Sequence, residues 1–177
     1  MSDLFIGVKP VEERHRIDAG RLEEYLRKHM EGFRGPLEIE QFKGGQSNPT
    51  YRITAGGKRY ALRRKPPGKL LPSAHAVERE FKVIQALSKI GFPVAKPYVL
   101  CENPEVIGTA FYLMDCMEGR VLWDQSLPGI AKEERRAIWG ELNRVIALLH
   151  SVDYKAVGLE DFGKAGSYIE QIGRAHV

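Results

Sequence analysis

The chain has 177 residues, 43% of them hydrophobic and 28% charged, with a net charge of +4 from 27 basic and 23 acidic side chains. That describes one soluble globular domain with room for a core; the charge excess is too mild, and too free of a basic stripe with interleaved aromatics, for nucleic acid. No apolar run is long enough to span a membrane, the first residues lack a signal peptide's basic start and long apolar stretch, and Cys101 and Cys116 sit in apolar segments as expected free thiols, so a reducing cytoplasmic setting is expected.

In chain order, Asp18 can cap a helix that presents Leu22, Tyr25, Leu26 and His29 on one face, ended by Gly32 and Gly35-Pro36. Residues 37–42 alternate as a strand. Two glycines, Gly44 and Gly45, then open a turn, and Tyr51 and Ile53 alternate in a second strand. Gly56-Gly57 signals a hairpin, and residues 60–64 form a third strand with cations at its end. Glycines let backbone approach a bulky group, and a cation two strands later can neutralise an anion, so residues 42–65 predict a phosphate cradle. Pro66, Pro67, Gly68 and Pro72 form a loop. Ser73 is the expected cap of a helix burying Val77, Phe81, Ile84 and Leu87, stopped by Gly91 and Pro93. Residues 98–101 and 110–116 read as two apolar strands around an Asn103-Pro104 turn. Residues 132–151 read as a helix with Ile138, Leu142, Val145 and Leu149 at helical spacing. The expected class is α+β: five antiparallel strands interrupted by one helix, then a linker and a helical region, which is the N-lobe plan of protein kinase-like folds.

The last six residues, Ile172 to Val177, read back as ATC-GGA-AGA-GCA-CAC-GTC, a widely used sequencing-adapter sequence. They are therefore read as adapter read-through, with the natural sequence cut near Gln171. The expected organisation is an N-terminal helix and N-lobe over 1–114, a hinge over 115–130, the start of a helical C-lobe over 131–171, and the read-through over 172–177.

Six phrases carry a resemblance: Gly44-Gly45-Gln46-Ser47-Asn48-Pro49-Thr50, the run from Tyr60 to Gly68, the run from Ala76 to Phe81, Gly91-Phe92-Pro93-Val94, the run from Phe111 to Asp115, and Leu148-Leu149-His150-Ser151. Their order and spacing resemble the aminoglycoside phosphotransferase-like family of small-molecule kinases. The branch most alike includes stand-alone bacterial phosphotransferases and the kinase-like N-terminal module of animal acyl-CoA dehydrogenases. The likeness covers residues 18–171.

The resemblance implies ATP with Mg²⁺ as cofactors and a small-molecule hydroxyl as acceptor, with a hydroxyacyl-CoA suggested by the animal relatives. It implies that the backbone of Gly44, Gly45 and Gln46 contacts phosphate, with the side chains of Ser47 and Asn48 adding donors. Ala61 and Arg63 share one face of the third strand. Ala61 would leave room for adenine, and Arg63 stands where protein kinases keep a phosphate-binding Lys. Arg offers a bidentate fork where Lys offers a point charge. Glu80 is the implied ion-pair partner of Arg63. Glu78 competes for that role, but lies about 200° away around the helix. Met114 would back the adenine pocket, with the Asp115 C=O and the Met117 N–H reading the adenine edge.

Two motifs are set aside. Asp161-Phe162-Gly163 spells the magnesium-binding kinase tripeptide but follows no catalytic loop, and is expected to be a turn. His150 has no Asp two residues on, and is expected to pack or cap at its helix end. The family's His-Gly-Asp…Asn loop and later Asp do not occur in these residues, so the fragment itself is expected to lack transfer activity and to leave its last helix without partners. No catalytic or metal residue is assigned within it. The alternatives are a non-catalytic nucleotide-binding module, or a choline- or homoserine-type kinase on the same fold. No nucleic-acid or membrane partner is expected, while relatives suggest a possible fused acyl-CoA dehydrogenase domain.

Overall fold

The computed structural model describes residues 6–44, 48–68 and 75–163. Six antiparallel strands form one sheet in the order β1-β2-β3-β4-β6-β5: β1 (Val8–Lys9), β2 (Leu37–Phe42), β3 (Thr50–Ala55), β4 (Lys58–Arg64), β5 (Pro97–Cys101) and β6 (Phe111–Asp115). Among the described residues, four α-helices accompany it, α1 (Ala19–His29), α2 (Val77–Lys89), α3 (Pro104–Ile107) and α4 (Lys132–His150), with a short 3₁₀ turn at Glu13–His15.

The five strands expected from sequence are present. The sixth, β1, has two residues, too few for an alternating pattern to show. Long-range contacts hold it: Val8 pairs with Phe42, Lys43 N–H donates to the Gly7 carbonyl at 3.1 Å, and Glu12 N–H donates to Gln41 Oε1 at 3.2 Å. Gly56 and Gly57 turn the β3–β4 hairpin at φ +58° and +76°, the pair of left-handed residues that a tight hairpin needs.

The pleat sends two sets of side chains to opposite faces. One face carries Tyr51, Ile53, Tyr60, Leu62, Phe111 and Leu113, all buried against Leu22 and Leu26 of α1 and against Met30 and Phe33. Wholly buried residues of this size each contribute about 1.5–3 kcal/mol. Asp18 caps α1 as expected, accepting the Arg21 N–H at 3.0 Å. His29 lies exposed at the helix end, its ring stacked on Tyr25 at 4.2 Å rather than in the core.

The opposite face is covered by α2, whose Val77 and Phe81 pack on Tyr112. This helix starts at Val77 with Ala76 at its N-cap and no capping side chain; Ser73, the expected cap, lies outside the described residues. The Asn103-Pro104 turn proves to be a four-residue helix, α3, with the Asn103 side chain accepting the Glu105 N–H at 2.9 Å. After β6 the chain runs through residues 116–131 to α4. No residue of α4 is buried, and its Leu142 and Leu149 are 45% and 44% exposed. Among the described residues no helix is long and apolar enough to cross a membrane.

Candidate functional site

The face of β4 turned away from α1 carries Ala61 and Arg63. Ala61 pairs with Arg52 on one side and Met114 on the other, and Arg63 pairs with Thr50 and Tyr112. The next residue, Arg64, points into the opposite layer and is 3% exposed. Its guanidinium donates to the Arg16 carbonyl at 3.5 Å and the Lys65 carbonyl at 3.4 Å. Burial pushes its pKa down.

Arg63 meets Glu80. Its Nε lies 2.7 Å from Glu80 Oε2, close enough for an ion pair though not aligned as a hydrogen bond, and Nη2 donates to Oε1 at 3.4 Å. The same carboxylate accepts the Tyr112 hydroxyl at 3.1 Å on Oε2 and Asn48 Nδ2 at 3.1 Å on Oε1. Burial first, then the charge and hydrogen bond of Glu80, drive the Tyr112 phenol well above its ordinary range, so it stays a donor. Glu78 takes a different cation: Lys65 Nζ lies 2.8 Å from it. Burial pushes the Glu78 carboxyl up, but Lys65, a backbone N–H and the nearby charge of Arg79 together bring it below the ordinary value. The two glutamates thus use their opposite helical directions to hold two strand-end cations.

Asn48 departs from its expected posture. Read from the sequence as a phosphate donor, its side chain is 2% exposed and faces inward, with Nδ2 on Glu80 and Oδ1 on His75 Nδ1 at 2.9 Å. Gly44 ends the described part of its loop; Gly45, Gln46 and Ser47 lie outside the described residues. Met114 packs against the α2 cluster at the end of β6. Asp115 fixes the sheet's exit, its carboxylate accepting the Tyr98 hydroxyl at 2.5 Å and its N–H donating to the Lys96 carbonyl at 2.9 Å. Burial, and then that contact with Asp115, pushes the Tyr98 phenol up to about 12. Met117 lies past the strand end, 72% exposed.

Asp161 sits in a turn, and the turn is tied to α2: Arg79 donates to the Phe162 carbonyl at 2.7 Å and lies 4.3 Å over its ring. His150 ends α4, exposed. Among the described residues no group of three or more His, Cys, Asp or Glu side chains could hold a metal ion.

Sequence reasoning paired Arg63 with Glu80 and set Ala61 and Arg63 on one face of β4, and the side chains of Arg63 and Glu80 do meet there. It missed Tyr112 and the inward turn of Asn48, which depend on pairings 32 residues apart. The signal for Tyr112 was present in the alternation of β6, which sets it on the same face as Met114. Chemically, the site offers a forked cation oriented by a carboxylate on a partly open sheet face: Arg63 and Glu80 side chains are 30% and 35% exposed. That donor set fits a polyphosphate, and the small Ala61, 6% exposed, pairs with Met114 beside it.

Comparison with known proteins shows the family. The model of the phosphotransferase enzyme family matches residues 38–174. Acyl-CoA dehydrogenase family member 11 of Rattus norvegicus is 45% identical over 161 residues, covering 89% of this chain and 21% of that protein. Acyl-CoA dehydrogenase family member 10 of Mus musculus is 46% identical over 171 residues, covering 94% and 16%. A crystal structure of a candidate aminoglycoside phosphotransferase from Ralstonia eutropha superposes with a TM-score of 0.78 at 52% identity, over 90% of this chain and 46% of that one. The chain therefore spans about a fifth of the length of the curated relatives it matches.

Proposed function

Because the chain belongs to the phosphotransferase enzyme family, we propose that it is the nucleotide-binding half of an ATP-dependent kinase acting on a hydroxyl of a small molecule. The observation that carries this reading is the partly exposed Arg63–Glu80 pair beside Ala61 on the α2 side of β4. In this reading Arg63 binds the α- and β-phosphates, and Glu80 orients it. The backbone of Gly44, Gly45 and Gln46 and the side chain of Ser47 donate to the phosphates. Adenine lies on Ala61 and Met114, its edge read by the Asp115 carbonyl and the Met117 N–H. ATP supplies the phosphoryl group. Residues 1–114 act as the nucleotide lobe, 115–130 as a hinge and 131–171 as the first part of a helical lobe, and 172–177 are adapter read-through.

The Mg²⁺ ligands and the carboxylate that positions the acceptor hydroxyl belong, in this proposal, to sequence following residue 171. Three observations favour that division: none of the five histidines is followed two residues on by Asp, the structural relative is about twice as long, and the α4 leucines are bare. The relatives' names contain acyl-CoA, which favours a hydroxyacyl-CoA as acceptor, and the free Cys101 and Cys116 favour a reducing, cytoplasmic setting.

The test is to express the complete coding sequence and follow ATP consumption with hydroxyacyl-CoA substrates. We expect Mg²⁺-dependent phosphorylation of the hydroxyl. Arg63→Ala should weaken ATP binding by about 10- to 100-fold, the value of charge-assisted hydrogen bonds to phosphate. A complete protein that binds ATP but phosphorylates no hydroxyl would identify a non-catalytic nucleotide-binding module instead.

A further inference from the structure

Asn48 is 2% exposed, and both ends of its amide are engaged. Its orientation follows from its neighbour. A carboxylate can only accept, so the NH₂ end must face Glu80 Oε1 at 3.1 Å. The carbonyl end therefore faces His75, and His75 Nδ1, 2.9 Å away, must carry a proton. His75 holds φ at +57°, a conformation that side-chain-bearing residues rarely adopt, and its carbonyl accepts the Val77 N–H at 2.9 Å where α2 begins. A chain of contacts, His75–Asn48–Glu80–Arg63, thus joins the end of the Gly-rich turn, the entry of α2, α2 itself and β4.

The load on Glu80 is uneven. Oε2 has Arg63 Nε at 2.7 Å and the Tyr112 hydroxyl at 3.1 Å. Oε1 has Asn48 Nδ2 at 3.1 Å and Arg63 Nη2 at 3.4 Å. The Arg63 contact to Oε1 is near the outer limit of a hydrogen bond, so it depends on Oε1 being held in place. Asn48 is the nearer of the two donors on Oε1.

We propose that Asn48 is a positioning residue. It ties the Gly-rich turn to the Glu80 carboxylate and so sets the angle at which Arg63 presents its fork to phosphate. The inference rests on the reading of Arg63 as the phosphate-binding cation, and adds that the Gly-rich turn and α2 hold Arg63 as one unit.

The test is a double-mutant cycle on this chain, with ATP and adenosine affinities measured by calorimetry. Asn48→Ala should weaken ATP about tenfold and leave adenosine unchanged, and that loss should vanish in an Arg63→Ala background. Equal losses for ATP and adenosine, or a loss that persists without Arg63, would overturn the proposal. An Arg63→Ala variant that binds ATP normally would overturn the phosphate reading and this inference with it; a strong effect of Arg63→Ala with none from Asn48→Ala sinks the inference alone. Asn48→Asp keeps the size and sets a second carboxylate against Glu80. It should lose at least as much ATP affinity, and it decides the matter if the alanine variant does not fold. On the unmodified chain, nitrogen NMR of the imidazole should find the His75 Nδ1 protonated. A neutral ring protonated at Nε2 would contradict the arrangement.

Discussion

Arg63 and Glu80 meet because two periodicities agree. The strand's period of two puts Arg63 on the face of Ala61, and the helix's turn of about 100° per residue points Glu80 there while Glu78 faces Lys65. Arg63→Lys keeps the charge but gives up the fork, so we expect calorimetry to show weaker ATP binding than the unmodified chain and stronger than Arg63→Ala. A second residue-scale expectation concerns Glu12. Hydrogen bonds from Lys9 and Arg14 lower its carboxyl from 4.5 to about 2. A lowered carboxyl stabilises the fold fully above its unfolded value and loses that contribution as pH falls through the folded value. The anchoring of β1 should therefore hold above pH 4.5 and weaken toward pH 2, as read by amide exchange at Val8 and Lys9. Lys9→Met should bring the Glu12 titration back toward the ordinary range in a carboxyl NMR titration. At this scale the sequence exposed the residues that lie on one strand or one helix. The inward turn of Asn48 escaped it, because a side chain beside a Gly-rich turn can face a ligand or the protein, and only the position of Glu80 decides.

The elements divide by what covers them. Leu62 of β4 is fully buried between α1 and its neighbouring strands, so Leu62→Ala should cost about 2–5 kcal/mol in urea unfolding. Leu142 and Leu149 on α4 are nearly half exposed, and Leu142→Gln with Leu149→Gln should change stability by less than about 1 kcal/mol while raising solubility. A large loss from the α4 pair would mean that the face is covered in solution. Strands β2 to β6 and the three longer helices were legible because each carries enough residues to show its period. β1 and α3 were not. β1 has two residues and is recruited by the edge of β2, and α3 is a single turn whose Asn103 cap also reads as a turn signal.

On the scale of the whole molecule, one well-packed sheet lies between α1 and α2, and a long helix extends from it with an apolar face open. Such a molecule has two levels of local stability. Amides of β3, β4 and β6 should exchange slowest, and those of α4 should exchange at close to the rate of a fraying helix. The Arg79–Phe162 contact joins α2 to the segment after α4 and should leave that ranking unchanged. Equal protection across α4 and β4 would show that the helix folds with the sheet.

The α2 side of β4, with Ala61 and the Arg63–Glu80 pair, is proposed as one wall of an ATP site. The most direct measurement is backbone NMR of this chain titrated with ATP. We expect shifts concentrated at Ala61, Arg63, Glu80 and residues 114–117, largely lost in the Arg63→Ala variant. Shifts absent from that face, or centred instead on the groove of Arg21, Lys28 and Glu105 beside α1, would contradict it.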